Sequence, residues 1–172
     1  YQWNDRNFNA NYGGIPKNVF LHITGKAYQT LPLYSDLGTT GTYIYATDFD
    51  IRRRSAKVHA ESEVKNESGT DRILSLVAEV TDADGKLIAT LKGDKVNVKA
   101  QETATLSAEG NITGLHFWSW GYGYLYKVKT MLCDNNGNLT DAVVTRTGFR
   151  KTRFAEGKIW LNDRVIMMHG YA

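Results

Sequence analysis

Apolar and polar residues alternate along this chain with a period of two, and no comparable stretch sustains the 3.6-residue period of an amphipathic helix. The clearest run is SAKVHAESEV, residues 55–64. Val58, Ala60, Ser62 and Val64 fall on one side; Lys57, His59, Glu61, Glu63 and Lys65 fall on the other. Successive strand side chains point to opposite faces, so the run predicts a strand with one face in a core and one in water. ILSLVAEVTD (73–82) repeats the pattern, with Leu74, Leu76, Ala78 and Val80 in phase. Asp84-Gly85 follows, a pair suited to the positive φ angles of a tight hairpin. Further strand-like runs are YIYATDFDI (43–51), DKVNVKA (94–100), ETATLSAEGNI (102–112), YLYKVKTMLCD (124–134) and LTDAVVTRTGF (139–149). DNNGN (134–138) predicts a second hairpin, between the last two.

These runs predict about seven or eight strands between 42 and 150, with turn residues between them. The fold class expected is all-β: an immunoglobulin-like antiparallel β-sandwich with short flanking β segments. The chain has only two prolines, so Gly, Asn and Asp must make the turns. Outside the block the pattern changes. Residues 25–41 hold Pro32 and three glycines and read as a connector with room for a short strand at YQTLPL (28–33). Residues 1–24 contain one strand-like run, Val19 to Ile23, and residues 153–172 read as two short strands around Asn162-Asp163. Both ends have the texture of the interior of a longer polypeptide.

Composition narrows the function classes. With 172 residues, 42% hydrophobic and 23% charged, the chain can bury a core of ordinary size. Net charge is +3 and, apart from Arg52-Arg53-Arg54, the cations are scattered rather than forming the basic stripe of a nucleic-acid partner. No apolar run approaches the ~20 residues that cross a bilayer. Cys133 is the sole cysteine, which excludes an intrachain disulfide and a thiolate metal cluster.

Candidate chemistry is sparse. Asp82-Ala83-Asp84-Gly85 and Asp134-Asn135-Asn136-Gly137-Asn138 look like the start of calcium loops, but helices and a terminal Glu are missing, so hairpin turns are expected. His22, His59, His116 and His169 lack metal-ligand spacing; His22 and His59 are expected on solvated strand faces. No metal and no cofactor is predicted. Asn-x-Ser/Thr triplets at Asn66, Asn111 and Asn138 matter only in a eukaryotic secretory setting. No pair of acids stands out with the surroundings that glycosidase chemistry requires. The densest feature is GLHFWSWGYGYLYKV (114–128), with six aromatic residues between Phe117 and Tyr126. Its functional reading is a carbohydrate platform of Trp118, Trp120 and Tyr122, since flat rings stack on sugar faces. Its structural reading, which the in-phase Tyr124, Tyr126 and Val128 favour, is a loop folded over the end of the sandwich.

Three ordered stretches carry a resemblance to glycoside hydrolase family 2, the family of β-galactosidases, β-glucuronidases and β-mannosidases. NYGGIPKNVFLHIT (11–24) resembles the last strand of that family's sugar-binding jelly roll through Gly13, Gly14, Ile15, Val19 and Leu21. Pro16 and Lys17 depart from the usual aromatic and Arg. WSWGYGYLYKV (118–128) resembles its Trp-Ser-Pro…Pro-x-Leu-Tyr-x-Val signature through Trp118, Ser119, Leu125, Tyr126 and Val128, with both prolines missing. GFRK (148–151) and IWLNDRVIMMHG (159–170) resemble the lead into its catalytic barrel through Gly148, Phe149, Arg150, Leu161, Asn162, Ile166 and Gly170, with Asp163 and His169 in place of Gly and Arg.

The resemblance implies a layout. Residues 1–24 would be the C-terminal strand of the sugar-binding domain and 25–39 a connector. The sandwich would span 40–152, and 153–172 would be a hairpin leading into a TIM barrel. It implies a parent that hydrolyses β-glycosides with retention through two glutamates on the barrel, so no catalytic residue falls on this chain. Partners would be a carbohydrate substrate and the two neighbouring domains, not nucleic acid or membrane; a homo-oligomer of the parent stays open. Asn9 and Asn11 would be the candidate sugar contacts. The parent would be periplasmic or extracellular with a signal peptide and cytoplasmic without one.

Overall fold

A computed structural model describes residues 19–32 and 37–167. Among these the chain forms twelve strands and no helix. They are β1 (Ala27–Gln29), β2 (Thr42–Asp50), β3 (Ser55–Asn66), β4 (Arg72–Thr81), β5 (Leu87–Lys92), β6 (Val96–Val98), β7 (Thr103–Ile112), β8 (Tyr126–Asp134), β9 (Leu139–Thr147), β10 (Thr152–Ala155), β11 (Lys158–Leu161) and β12 (Arg164–Ile166). Eight of them fall between Thr42 and Thr147, and every pairing is antiparallel. The fold is an all-β sandwich.

β3 organises the first sheet. β7 pairs with one edge of it, and β2 and then β1 pair with the other. β4 does the same in the second sheet, with β5 and β6 on one edge, β8 on the other, and β9 beyond β8. The strict alternation of β3 puts Val58, Ala60, Ser62 and Val64 at 0% exposure. Leu76, Ala78, Val80, Val128 and Leu132 reach the same value from the facing sheet. Each such valine or leucine stabilises the fold by about 1.5–3 kcal/mol.

Two backbone features set the closeness of the layers. Gly93, between β5 and β6, donates its N–H to Leu76 O at 2.8 Å. A Cβ there would lie 1.9 Å from Ser107 O, a backbone atom, so any side chain would force the β5–β6 crossover off β7. Gly41, at φ 65°, sits against the backbone of Pro32 where the connector enters β2.

Polar groups in the core are matched. Gln29, 4% exposed, donates from Nε2 to Thr130 O in the second sheet and accepts from Ser62 Oγ at 3.0 Å in the first. Its backbone N–H donates to Asp141 Oδ2. One short incoming strand thus ties both sheets together, which explains why core position 62 is a serine. Asn66, at 0% exposure, donates from Nδ2 to Thr70 O, Val98 O and Lys99 O, and its Oδ1 accepts from the Ser68 amide and hydroxyl. The triplet at Asn66 is therefore a buried turn device with no surface for a glycan.

Four expectations need correction. Residues 19–25 form no strand; Val19, Phe20, Leu21 and Ile23 are 76–85% exposed. The apolar run is there, but it forms no ladder with any strand among the described residues. The short strand expected at YQTLPL lies slightly earlier, at Ala27–Gln29, with Pro32 beyond its end. The closing segment has three strands rather than two. Glu156-Gly157, with φ 54° and 65°, makes a hairpin of the same kind as Asn162-Asp163, with φ 49° and 63°. His59 does lie on an outer strand face but is only 14% exposed at its side chain, stacked on Tyr45 at 4.6 Å and paired with Glu109. His22 is exposed and outside any strand.

Candidate functional site

The aromatic stretch folds over one end of the sandwich, where the chain also leaves it. Leu115 (0% exposed) and Phe117 (9%) turn into the core, and Phe117 meets Phe49 edge-on at 5.5 Å. Arg54, at positive φ, holds this loop from β3's start, donating from Nε to Leu115 O and from Nη2 to Gly114 O. Tyr126 is 1% exposed, and its Oη accepts the His116 amide at 2.7 Å. Burial raises that phenol above its ordinary value, outweighing the hydrogen bond from His116.

Trp118 is the hinge of the arrangement. Its N–H donates to Phe149 O at 2.8 Å, joining the loop to the departing chain. Arg150 lies over its ring with the guanidinium carbon 5.2 Å from the centroid. Gly148 passes beneath, where a Cβ would come within 2.9 Å of Trp118 Cβ and 3.0 Å of Tyr124 O. Asn162 Nδ2 donates to Trp118 O at 2.9 Å, while Asn162 Oδ1 accepts the Lys151 amide and its N–H donates to Lys151 O. One asparagine therefore fastens the β10–β12 sheet to both the loop and the end of the sandwich. Lys151 and Asp163 add an ion pair at 2.8 Å, and Leu161 is buried at 5% exposure.

The other predicted platform residues have different settings. Trp120 stands at the tip of a tight turn closed by reciprocal Ser119 and Tyr122 backbone hydrogen bonds, with Gly121 at φ 72°, and is 67% exposed. Tyr122 is 48% exposed, hydrogen-bonded through its hydroxyl to His116 Nδ1 at 2.9 Å. Tyr124 stacks on His116 at 4.7 Å, and its Oη accepts the Ala83 amide from the β4–β5 turn. Asn9 and Asn11 lie outside the described residues.

Several acidic groups among the described residues serve the fold. Asp134 Oδ1 accepts the amides of Asn136 and Asn138, and Asp82 Oδ1 accepts those of Asp84 and Lys86. Both calcium-loop look-alikes are thus turns whose carboxylates are turned onto their own backbone. The Asn138 side-chain hydrogen bond, then its backbone amide, holds Asp134 below the usual carboxylate value. Glu63 accepts from Thr30 and Thr40, Asp141 from Gln29, and Glu109 pairs with Lys57 and His59. Burial raises the Cys133 thiol, with the Asp134 charge adding to it, so it is no activated nucleophile. Among the described residues no group of three His, Cys, Asp or Glu side chains could hold a metal. Among the described residues no helix is long and apolar enough to cross a membrane. Sequence reasoning read Asn162 only as a turn residue and Gly148 only as part of a motif; their joint hold on Trp118 needed the fold.

Comparison with known proteins agrees with this geometry. The model of glycosyl hydrolases family 2 matches residues 42–150. A β-glucuronidase of Formosa agariphila is 32% identical over 170 residues, covering 98% of this chain and 17% of that protein. A β-galactosidase of Halalkalibacterium halodurans is 29% identical over 159 residues, covering 92% of this chain and 14% of its own. Among solved structures, a β-glucuronidase from glycoside hydrolase family 2 superposes with a TM-score of 0.75 at 29% identity, over 86% of this chain and 15% of the other. The chain thus spans about a sixth of the length of these relatives. The family model spans the sandwich and the Trp118 loop, and this chain belongs to glycosyl hydrolases family 2.

Proposed function

We propose that this chain is the non-catalytic β-sandwich portion of a β-glycosidase, holding a preceding sugar-binding domain and a following catalytic barrel in fixed relation. Residues 1–24 would complete the sugar-binding domain, 25–39 connect, 40–152 form the sandwich, and 153–172 lead into the barrel. The parent would cleave β-glycosidic bonds with retention, using carboxylates of the barrel; the names of the relatives, β-glucuronidase and β-galactosidase, support a β-glycoside as substrate. Asn9 and Asn11 would reach the sugar from the preceding domain.

The observation that carries this reading is the clamp at Asn162. A sheet of three short strands with Phe154 76% and Val165 46% exposed, and Met167 just beyond it 80% exposed, has little core of its own. Yet it is fixed to the sandwich by three hydrogen bonds and an ion pair. Such stiffness makes sense if the next domain must be held to sub-ångström tolerance, because small misplacements of catalytic groups cost large factors in rate. The apolar side chains left open on this sheet and on residues 19–23 are the surfaces that neighbouring domains would cover.

The test is Asn162→Gly in the full-length parent, which keeps the positive φ and removes both side-chain hydrogen bonds. The expected result is a fall of about 10–100-fold in kcat on chromogenic β-glycosides, with the sandwich's melting temperature changed by no more than about 4 °C. A kcat within twofold of the parent would contradict the positioning role.

A further inference from the structure

Beside the Trp118 loop lies an open cleft of about 640 Å³ that neither the fold nor the positioning role uses. That volume is in the usual small-molecule range of about 300–1,000 Å³. Tyr122 and Tyr124, the Asp82-Ala83 turn, and Lys127 and Arg146 line it. Lys127 and Arg146 are direct cross-strand partners on β8 and β9, both exposed, so two like charges face each other on one sheet surface. Such a pairing destabilises a sheet. Among the described residues neither cation makes an ion pair. Lys92 and Lys129 share this outer face against Glu79 alone in the adjoining rows, which adds to the positive field. The one carboxylate in the cleft, Asp82, has Oδ1 committed to the amides of Asp84 and Lys86.

Two uncompensated cations beside tyrosine rings form a recognisable chemistry. A guanidinium and an ammonium take a carboxylate, and a half-exposed phenol ring offers a flat face for a sugar's C–H surface. The Tyr122 hydroxyl is engaged by His116 and the Tyr124 hydroxyl by Ala83, so both rings are held in place before any ligand arrives. Two cations are too few for the phosphate-tracking stripe of a nucleic-acid site. We infer that the Tyr122–Tyr124–Lys127–Arg146 cleft is a non-catalytic binding site for a uronic-acid saccharide, with the carboxylate on Lys127 and Arg146 and the ring against Tyr122. This goes beyond the positioning role and does not depend on it; Asn162 variants test that role separately.

The experiment is calorimetric titration of the 172-residue chain with tetrasaccharides containing galacturonate or glucuronate. Saturable one-site binding to at least one of them is expected, weakened at least about tenfold by Lys127→Gln with Arg146→Gln and by raised salt. Tyr122→Ala should weaken it too, and the methyl-esterified tetrasaccharide should not bind. The two charge substitutions lie on an exposed sheet face, so they carry the test if Tyr122→Ala disturbs the loop. Binding to neither saccharide would overturn the assignment, as would equal binding of the methyl ester or of the double variant. So would equally tight binding of inorganic sulfate, a sulfated neutral oligosaccharide or single-stranded DNA, each of which would mark a general oxyanion surface.

Discussion

Asn66 shows how much one side chain can carry in this fold. It satisfies three backbone carbonyls with its amide and takes two donors from Ser68, at 0% exposure. Replacing it by Ala removes the acceptor of the Ser68 amide and one donor from each carbonyl in a site closed to water, although Ser68 Oγ still donates to Thr70 O and Lys99 O still accepts the Glu102 amide. The expected cost is about 2–4 kcal/mol, from orphaned groups at about 1–3 kcal/mol each, read as a lower midpoint in urea with an unchanged slope. A loss below about 0.5 kcal/mol would show that water replaces the amide. From sequence, Asn66 was visible only as part of a triplet, because the three carbonyls it meets come from Thr70, Val98 and Lys99, two of them more than thirty residues away. Ser62, by contrast, was legible as a core position from its phase with Val58 and Val64. What was not legible was its partner, Gln29, since pairing across two sheets leaves no local trace.

At the scale of elements, the alternation that predicts a strand also predicts its buried face, and β3, β4 and β8 follow it residue by residue. The pattern fails where the run pairs with no described strand, as at Val19–Ile23, and where a hairpin uses Glu-Gly instead of Asn-Gly or Asp-Gly, as at 156–157. The β8–β9 turn makes an acid-side prediction. Asp134 has its folded pKa lowered, mainly by the Asn138 side chain and amide, relative to an unfolded value of about 3.9. A lowered folded pKa adds stability that is fully present above the unfolded value and disappears as pH falls through the folded one. Glu109, lowered mainly by its hydrogen bond from Lys57, acts in the same direction. The melting temperature should therefore hold level down to about pH 5 and fall below it, and Asp134→Asn should flatten that acid limb. A limb of identical steepness in the variant would show that the turn's hydrogen bonds contribute nothing to the pH dependence.

For the molecule as a whole, the sandwich is a self-sufficient core with its chemistry at one end and apolar surface left open on its flanking segments. The fold class was legible because it follows from period-two runs and turn residues, both local. The role of the exit end was only partly legible. The motif residues Gly148, Asn162 and Trp118 could be picked out, but that they lock together depends on β9 delivering Gly148 beneath the loop. Family membership supports the proposed β-glycosidase parent, while the acidic groups with partners among the described residues serve turns, ladders and ion pairs. The central claim is thus that the chain supports a glycosidase without being one. Its most direct test is the rate at which the purified chain releases nitrophenol from nitrophenyl β-glucuronide and β-galactoside. The expected rate equals that of buffer alone; release that stays constant per mole of chain through successive purification steps would contradict the claim.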